Sequence, residues 1–130
     1  MKKYAILAGL LCALAGCGGS VRIGFFNYQG ALTGIDCSSH AIRNVQARYT
    51  ITIDAFSPGS DVTLVDQAGI WWTGTMLTPS SFQVGSFNPF TNVQTWIVIS
   101  NVNSAGAHVD SVTTCVASGC CTTLSGDVFA

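Results

Sequence analysis

Tyr49-Thr50-Ile51-Thr52-Ile53-Asp54-Ala55 is the stretch of sequence that indicates the fold class most directly. Apolar residues alternate with Thr and Asp, so one side of the stretch is apolar and the other is polar. A strand with one buried face has this pattern, whereas a helix repeats its apolar positions every three or four residues. The stretch therefore predicts a β-strand within residues 43–56.

Seven further segments have the composition of β-strands and are separated by Gly, Pro, Asn and Ser. They are 21–29, 62–66, 70–76, 81–87, 92–100, 107–116 and 121–129. We predict one all-β domain over residues 21–130, either a small antiparallel sandwich or an eight-stranded up-and-down (lipocalin-like) barrel. In the first strand, Ile23, Phe25 and Asn27 are expected on one face, and residues 30–39 are expected to be rich in turns.

The N-terminal segment has the layout of a secretory signal. Lys2 and Lys3 precede an apolar run that is too short to span a membrane, because a spanning helix needs about 20 residues. A buried core helix is the less favoured alternative, because the run begins at the start of the sequence and ends in small residues. Ordinary signal cleavage, with Cys17 incidental, is the second alternative.

Leu14-Ala15-Gly16-Cys17 resembles the lipobox of bacterial lipoproteins. The resemblance implies that residues 1–16 are removed as a signal peptide and that diacylglycerol is attached to the Cys17 sulfur. It also implies a further acyl group, such as palmitate, and a short tether over residues 17–20. No Asp follows Cys17, so by analogy the expected location is the bacterial cell envelope, with the outer membrane favoured over the inner.

The charges after residue 16 are three arginines and six aspartates, and this part of the chain has no lysine or glutamate. No basic patch is formed, so nucleic acid is not a predicted partner. A polybasic second membrane signal is also absent, so the lipid alone is expected to anchor the protein to the membrane.

Four cysteines follow Cys17, and an even number in an exported chain indicates disulfides. A bridge between the neighbours Cys120 and Cys121 is strained, which leaves two pairings. We favour Cys115–Cys120 with Cys37–Cys121, and the rival is Cys37–Cys120 with Cys115–Cys121.

Two polar groupings were weighed as chemical sites. Cys37 and His40, with the later cysteines, offer zinc ligands, but the spacing matches no zinc ribbon or finger, so no metal or cofactor is predicted. His108 and Asp110 share one face of a predicted strand, but no nucleophile motif accompanies them. A polar strand face is the favoured interpretation, and the protein is not expected to be an enzyme.

Three tryptophans are the candidate ligand contacts: Trp71, Trp72 and Trp96. Trp72 lies on the same predicted face as Ile70 and Met76, and is expected in the core. Trp71 faces the opposite way, and cover by a neighbouring loop is the favoured expectation. The alternative is that Trp71 is exposed or lines a cavity, where it would suit a sugar, an apolar ligand or a protein.

The sequence thus predicts a lipid-anchored envelope lipoprotein with a small disulfide-bonded β domain in a structural or binding role. The alternative is a lipocalin-like carrier of a small apolar ligand, which would require a cavity lined by Trp72, Phe82 and Trp96.

Overall fold

Alternation of apolar and polar residues produces eight strands in the computed structural model, which describes residues 24–130. The strands are β1 (Gly24–Ile35), β2 (Ile42–Ile53), β3 (Asp61–Val65), β4 (Trp71–Thr78), β5 (Ser81–Asn88), β6 (Val93–Asn103), β7 (Gly106–Cys115) and β8 (Cys121–Phe129). Each strand pairs antiparallel with the next, and β8 pairs with β1, so the sheet is a closed up-and-down barrel. The barrel alternative is confirmed and the sandwich is excluded. The signal peptide, Cys17 and the tether lie outside the described residues.

The register shows how the barrel closes. One row of paired residues runs through all eight strands and returns to β1 ten residues further along, from Gly24 to Gly34. The row is Gly24, Ile53, Val62, Gly74, Val84, Ile97, Val112, Leu124 and Gly34. Such a stagger requires the strands to tilt by roughly 35–45° from the barrel axis. An eight-stranded barrel has an interior that side chains can fill.

The inward-facing side chains form one apolar cluster. No charged residue is buried within residues 24–130, and Ile51, Ile53, Leu64, Phe82 and Ile99 are each 0% exposed. The predicted inward face of β2 is confirmed as far as Ile53, where the strand ends. Burial of each large apolar side chain contributes about 1.5–3 kcal/mol to folding.

The prediction for the first strand was wrong in its length, whereas Phe25 and Asn27 share one face as predicted, and this face is the outer one. β1 continues to Ile35, and Tyr28 and Leu32 are buried while Phe25 is 61% exposed. Gly30 does not mark a turn. It permits the backbone of β8 to approach, because a Cβ at Gly30 would lie 2.2 Å from the Asp127 carbonyl oxygen.

The connections divide between the two ends of the barrel. The disulfide end carries the connections 36–41, 66–70, 89–92 and 116–120. Cys37 and Cys120 lie in these connections, and Cys115 and Cys121 are the strand residues next to them. The terminal end carries the connections 54–60, 79–80 and 104–105, together with Gly24 and Ala130. The first described residue therefore lies at the end opposite the disulfides. Within residues 24–130, no helix has the length and apolarity needed to cross a membrane.

Candidate functional site

Two of the three side chains expected to line a carrier's cavity belong to the packed core of the barrel. Trp72 and Phe82 point inward and are packed into the apolar cluster, with 6% and 0% of their surface exposed. Trp96 was expected beside them, but it lies on the outer face, because its neighbour Ile97 takes the inward position on β6. The cavity lining required by the carrier alternative is therefore wrong for Trp96.

Two disulfides link the strands and loops of the disulfide end. Cys37 pairs with Cys120, with their Cα atoms 5.7 Å apart, and Cys115 pairs with Cys121, at 4.1 Å. The prediction of disulfides is confirmed, but the favoured pairing was wrong. Cys115 and Cys121 lie directly opposite each other in the register of β7 and β8, so Cys120 is left to face the 36–41 connection.

Hydrogen bonds to one carboxylate order the 36–41 connection. Asp36 Oδ1 accepts bonds from the Ser38 hydroxyl at 2.7 Å and from the amides of Ser38 and Ser39 at 2.9 and 3.2 Å. These bonds, with Arg43 as a weaker contributor, lower the pKa of Asp36 to about 2. The connection that carries Cys37 is thus held by its own polar groups as well as by the disulfide.

A second carboxylate at this end binds a tryptophan. Asp66 Oδ2 accepts a hydrogen bond from the Trp72 indole nitrogen at 3.0 Å, and Asp66 Oδ1 accepts bonds from the amides of Ala68 and Ile70. Ile70 was expected in the core, but it belongs to this turn and is 50% exposed. Trp71 is 68% exposed, so the favoured expectation that a loop covers it was wrong, and the exposed alternative is confirmed.

Trp96 lines a groove on the outer face of β5 and β6. The groove has a volume of about 300 Å³ and is formed by Gln83, Gly85, Ser86, Phe87, Gln94, Thr95 and Trp96. Gly85 lies directly opposite Trp96 in the register and has no side chain to fill the space. Sequence reasoning identified Trp96 but missed the groove, because the register that pairs the tryptophan with a glycine is not visible in the sequence.

His108 and Asp110 share the outer face of β7, as predicted, and their Nε2 and Oδ1 atoms are 3.6 Å apart. The closer partner, which sequence reasoning missed, is Asp127 on β8, whose Oδ1 lies 2.7 Å from His108 Nδ1. Ser100 donates a hydrogen bond to Asp110, at 2.8 Å, and not to the imidazole. These side chains therefore form polar contacts on the outer surface, and within residues 24–130 the His108 imidazole is hydrogen-bonded to a carboxylate and to no hydroxyl.

The zinc-ligand alternative does not survive in the described part of the chain. The cysteines that it required, Cys37, Cys120 and Cys121, are all in disulfides. Residues 24–130 contain no group of three or more His, Cys, Asp or Glu side chains arranged to hold a metal ion.

The fold and its surface define a small disulfide-bonded barrel with one apolar core cluster and an aromatic groove on its outer wall. Comparisons with models of protein families, with curated proteins and with solved structures found no match to this chain.

Proposed function

We propose that this protein is a bacterial envelope lipoprotein, anchored by lipid on Cys17, whose β-barrel acts as a small structural or binding module. The lipobox at Leu14-Ala15-Gly16-Cys17 supports the anchor. The position of Gly24 at the terminal end supports a defined orientation, because the tether enters the barrel there. Seven residue steps separate Cys17 from Gly24, which span at most about 25 Å. The terminal end therefore lies near the bilayer, and the disulfide end faces away from it.

The observation that supports a binding role on the outer surface is the packed apolar core of the barrel. Because the inward-facing apolar side chains pack into one cluster, we expect a ligand or partner to bind on the outer surface. This packing disfavours the lipocalin-like carrier. The contacts of His108 support a role without catalysis, since its described partners are carboxylates and Ser100 is bonded elsewhere.

Lipidation is tested by growing cells with an alkyne-labelled fatty acid and measuring label and intact mass of the protein. The wild-type protein should carry label and begin at residue 17. Cys17→Ala should carry none, and Cys12→Ala, which removes the other leader cysteine, should be labelled like wild type. Label on Cys17→Ala, or a mature chain that begins elsewhere, would contradict the anchor.

The carrier alternative is tested by extracting the purified protein with organic solvent and analysing the extract by mass spectrometry. We expect no apolar molecule in stoichiometric amount beyond the covalent lipid. An equimolar cargo that is lost when the barrel unfolds would restore the carrier and overturn a purely external binding role.

A further inference from the structure

One wall of the barrel carries no charge. From Gln67 to Val109 the sequence has no Asp, Glu, Lys or Arg, and this range contains the whole of β4, β5 and β6. His108, next to the end of this range, is its single ionisable side chain. A ligand of this wall gains nothing from charge, so a neutral ligand fits it best.

The groove beside Trp96 lies on this uncharged wall. Its floor is Gly85, where an added Cβ would meet a single neighbouring atom, the Thr95 carbonyl oxygen, at 3.7 Å. Phe87 is 55% exposed at the side of the groove, and the half-buried Trp96 lies across from the glycine. The groove thus offers two aromatic rings around an open floor.

Amide side chains flank these rings. Gln83 precedes Gly85 on the outer face of β5, and Gln94 precedes Trp96 on the outer face of β6. Within residues 24–130, the side chains of Gln83 and Gln94 and the indole N–H of Trp96 take part in no hydrogen bond. They can therefore donate and accept bonds with a ligand without breaking bonds within the described barrel.

We propose that this groove binds a neutral carbohydrate, with one sugar ring against Trp96. A pyranose ring presents C–H groups on its faces and hydroxyls on its rim, which matches aromatic rings flanked by amides. The volume, about 300 Å³, is at the lower limit for a small-molecule site and suits one or two sugar rings of a longer chain. The inference deepens the proposed binding role and assigns its ligand class.

A second copy of the chain is the competing occupant of an exposed aromatic surface. The cores of protein interfaces are closely packed and dry, and they leave few polar groups without partners. A groove with an open glycine floor and unpartnered amides is better matched to a ligand that brings its own hydroxyls. Self-association is accordingly an outcome that would refute the proposal.

The test is calorimetric titration of the full protein, purified in a detergent without sugar groups. The probes are a tetramer of β-1,4-linked N-acetylglucosamine, cellotetraose and maltotetraose. Gly85→Val fills the floor from outside the core, and its Cβ has room, so the variant is expected to fold. Trp96→Ala removes the aromatic face. The matched control is Phe25→Ala, which removes an exposed aromatic side chain from β1, a strand that neighbours neither β5 nor β6.

The expected result is saturable binding of at least one tetrasaccharide, weakened at least tenfold by Gly85→Val and by Trp96→Ala and changed less than twofold by Phe25→Ala. Circular dichroism and the thermal midpoint verify that each variant is folded. Absence of binding at millimolar sugar, or equal losses in all three variants, would overturn the proposal. So would a dimer in sedimentation that Gly85→Val dissociates. A protein that lacks lipid on Cys17 would refute the anchor while leaving this titration unaffected, so the two failures are distinguishable.

Discussion

Removing the Cys37–Cys120 bridge should destabilise the barrel more than removing the Cys115–Cys121 bridge. The two bridges close loops with sequence separations of 83 and 6 residues. In the chain-entropy model, these loops correspond to about 4.5 and about 2.2 kcal/mol of stabilisation at 25 °C. The expected difference between the two variants is therefore about 2 kcal/mol.

The assay is urea unfolding of two double variants, Cys37→Ala/Cys120→Ala and Cys115→Ala/Cys121→Ala, followed by circular dichroism. Each variant removes one bridge and leaves no unpaired thiol among the four residues, so each serves as the control for the other. For slopes of about 1–2 kcal/mol/M, the two midpoints should differ by at least about 1 M urea.

Equal midpoints, or a lower midpoint for the variant without the Cys115–Cys121 bridge, would refute this reasoning. The pairing itself is checked in the single variant Cys37→Ser, where the freed thiol is alkylated and located by fragment-ion mass spectrometry. The label should be on Cys120. A label on Cys121 would contradict the structure and restore the pairing that the sequence favoured.

Three further outcomes are expected from the packing of the barrel. Gly74→Ala should cost at least about 2 kcal/mol in urea unfolding, because its Cβ would lie 1.8 Å from a carbonyl oxygen of β5, whereas Gly85→Ala should be neutral or stabilising by about 0.5 kcal/mol; equal costs would contradict the close approach of the strands. Trp72→Phe removes an indole bond to a carboxylate and should cost about 1.5–3 kcal/mol in thermal or urea unfolding, while Trp71→Phe should change stability by less than about 0.5 kcal/mol; similar effects of the two would refute the assignment of inner and outer faces. Burial raises the pKa of the Tyr49 phenol, with a further contribution from a nearby carboxylate, so its stabilising effect is complete below the unfolded value of about 10 and is lost as the pH rises further; ultraviolet titration should detect its phenolate only as the barrel unfolds, and reversible ionisation near pH 10 in the folded protein would refute this.

The strands could be predicted from the sequence where apolar and polar residues alternate regularly and no glycine interrupts the pattern. In β2, the apolar positions Tyr49, Ile51 and Ile53 define the inner face, and the structure buries all three. Eight strands with short connections then favoured an up-and-down order. The choice between sandwich and barrel depended on whether β8 pairs with β1, which is a contact between distant segments that local patterns do not encode.

The errors fall where the pairing and packing of neighbouring strands, and not the local sequence, decide the position of a residue. Gly30 was expected in a turn because glycine usually marks one, but it lies within β1, where the backbone of β8 leaves no room for a side chain. The carrier alternative required Trp96 to face inward, yet the inward position is taken by Ile97. The favoured disulfide pairing was wrong because the register of β7 and β8, which the sequence does not reveal, places Cys115 opposite Cys121.

The pairing of β1 with β8 also has a consequence for how the chain folds. β1 has an unpaired edge until residues 121–129 are available, since Gln29 must wait for Phe129 and Ile35 for Thr123. Such distant pairings make folding slow, and an open strand edge in the interval invites aggregation with other chains. A chain truncated before Cys121 would expose two edges permanently, so the last nine-residue strand is what protects the barrel from aggregation.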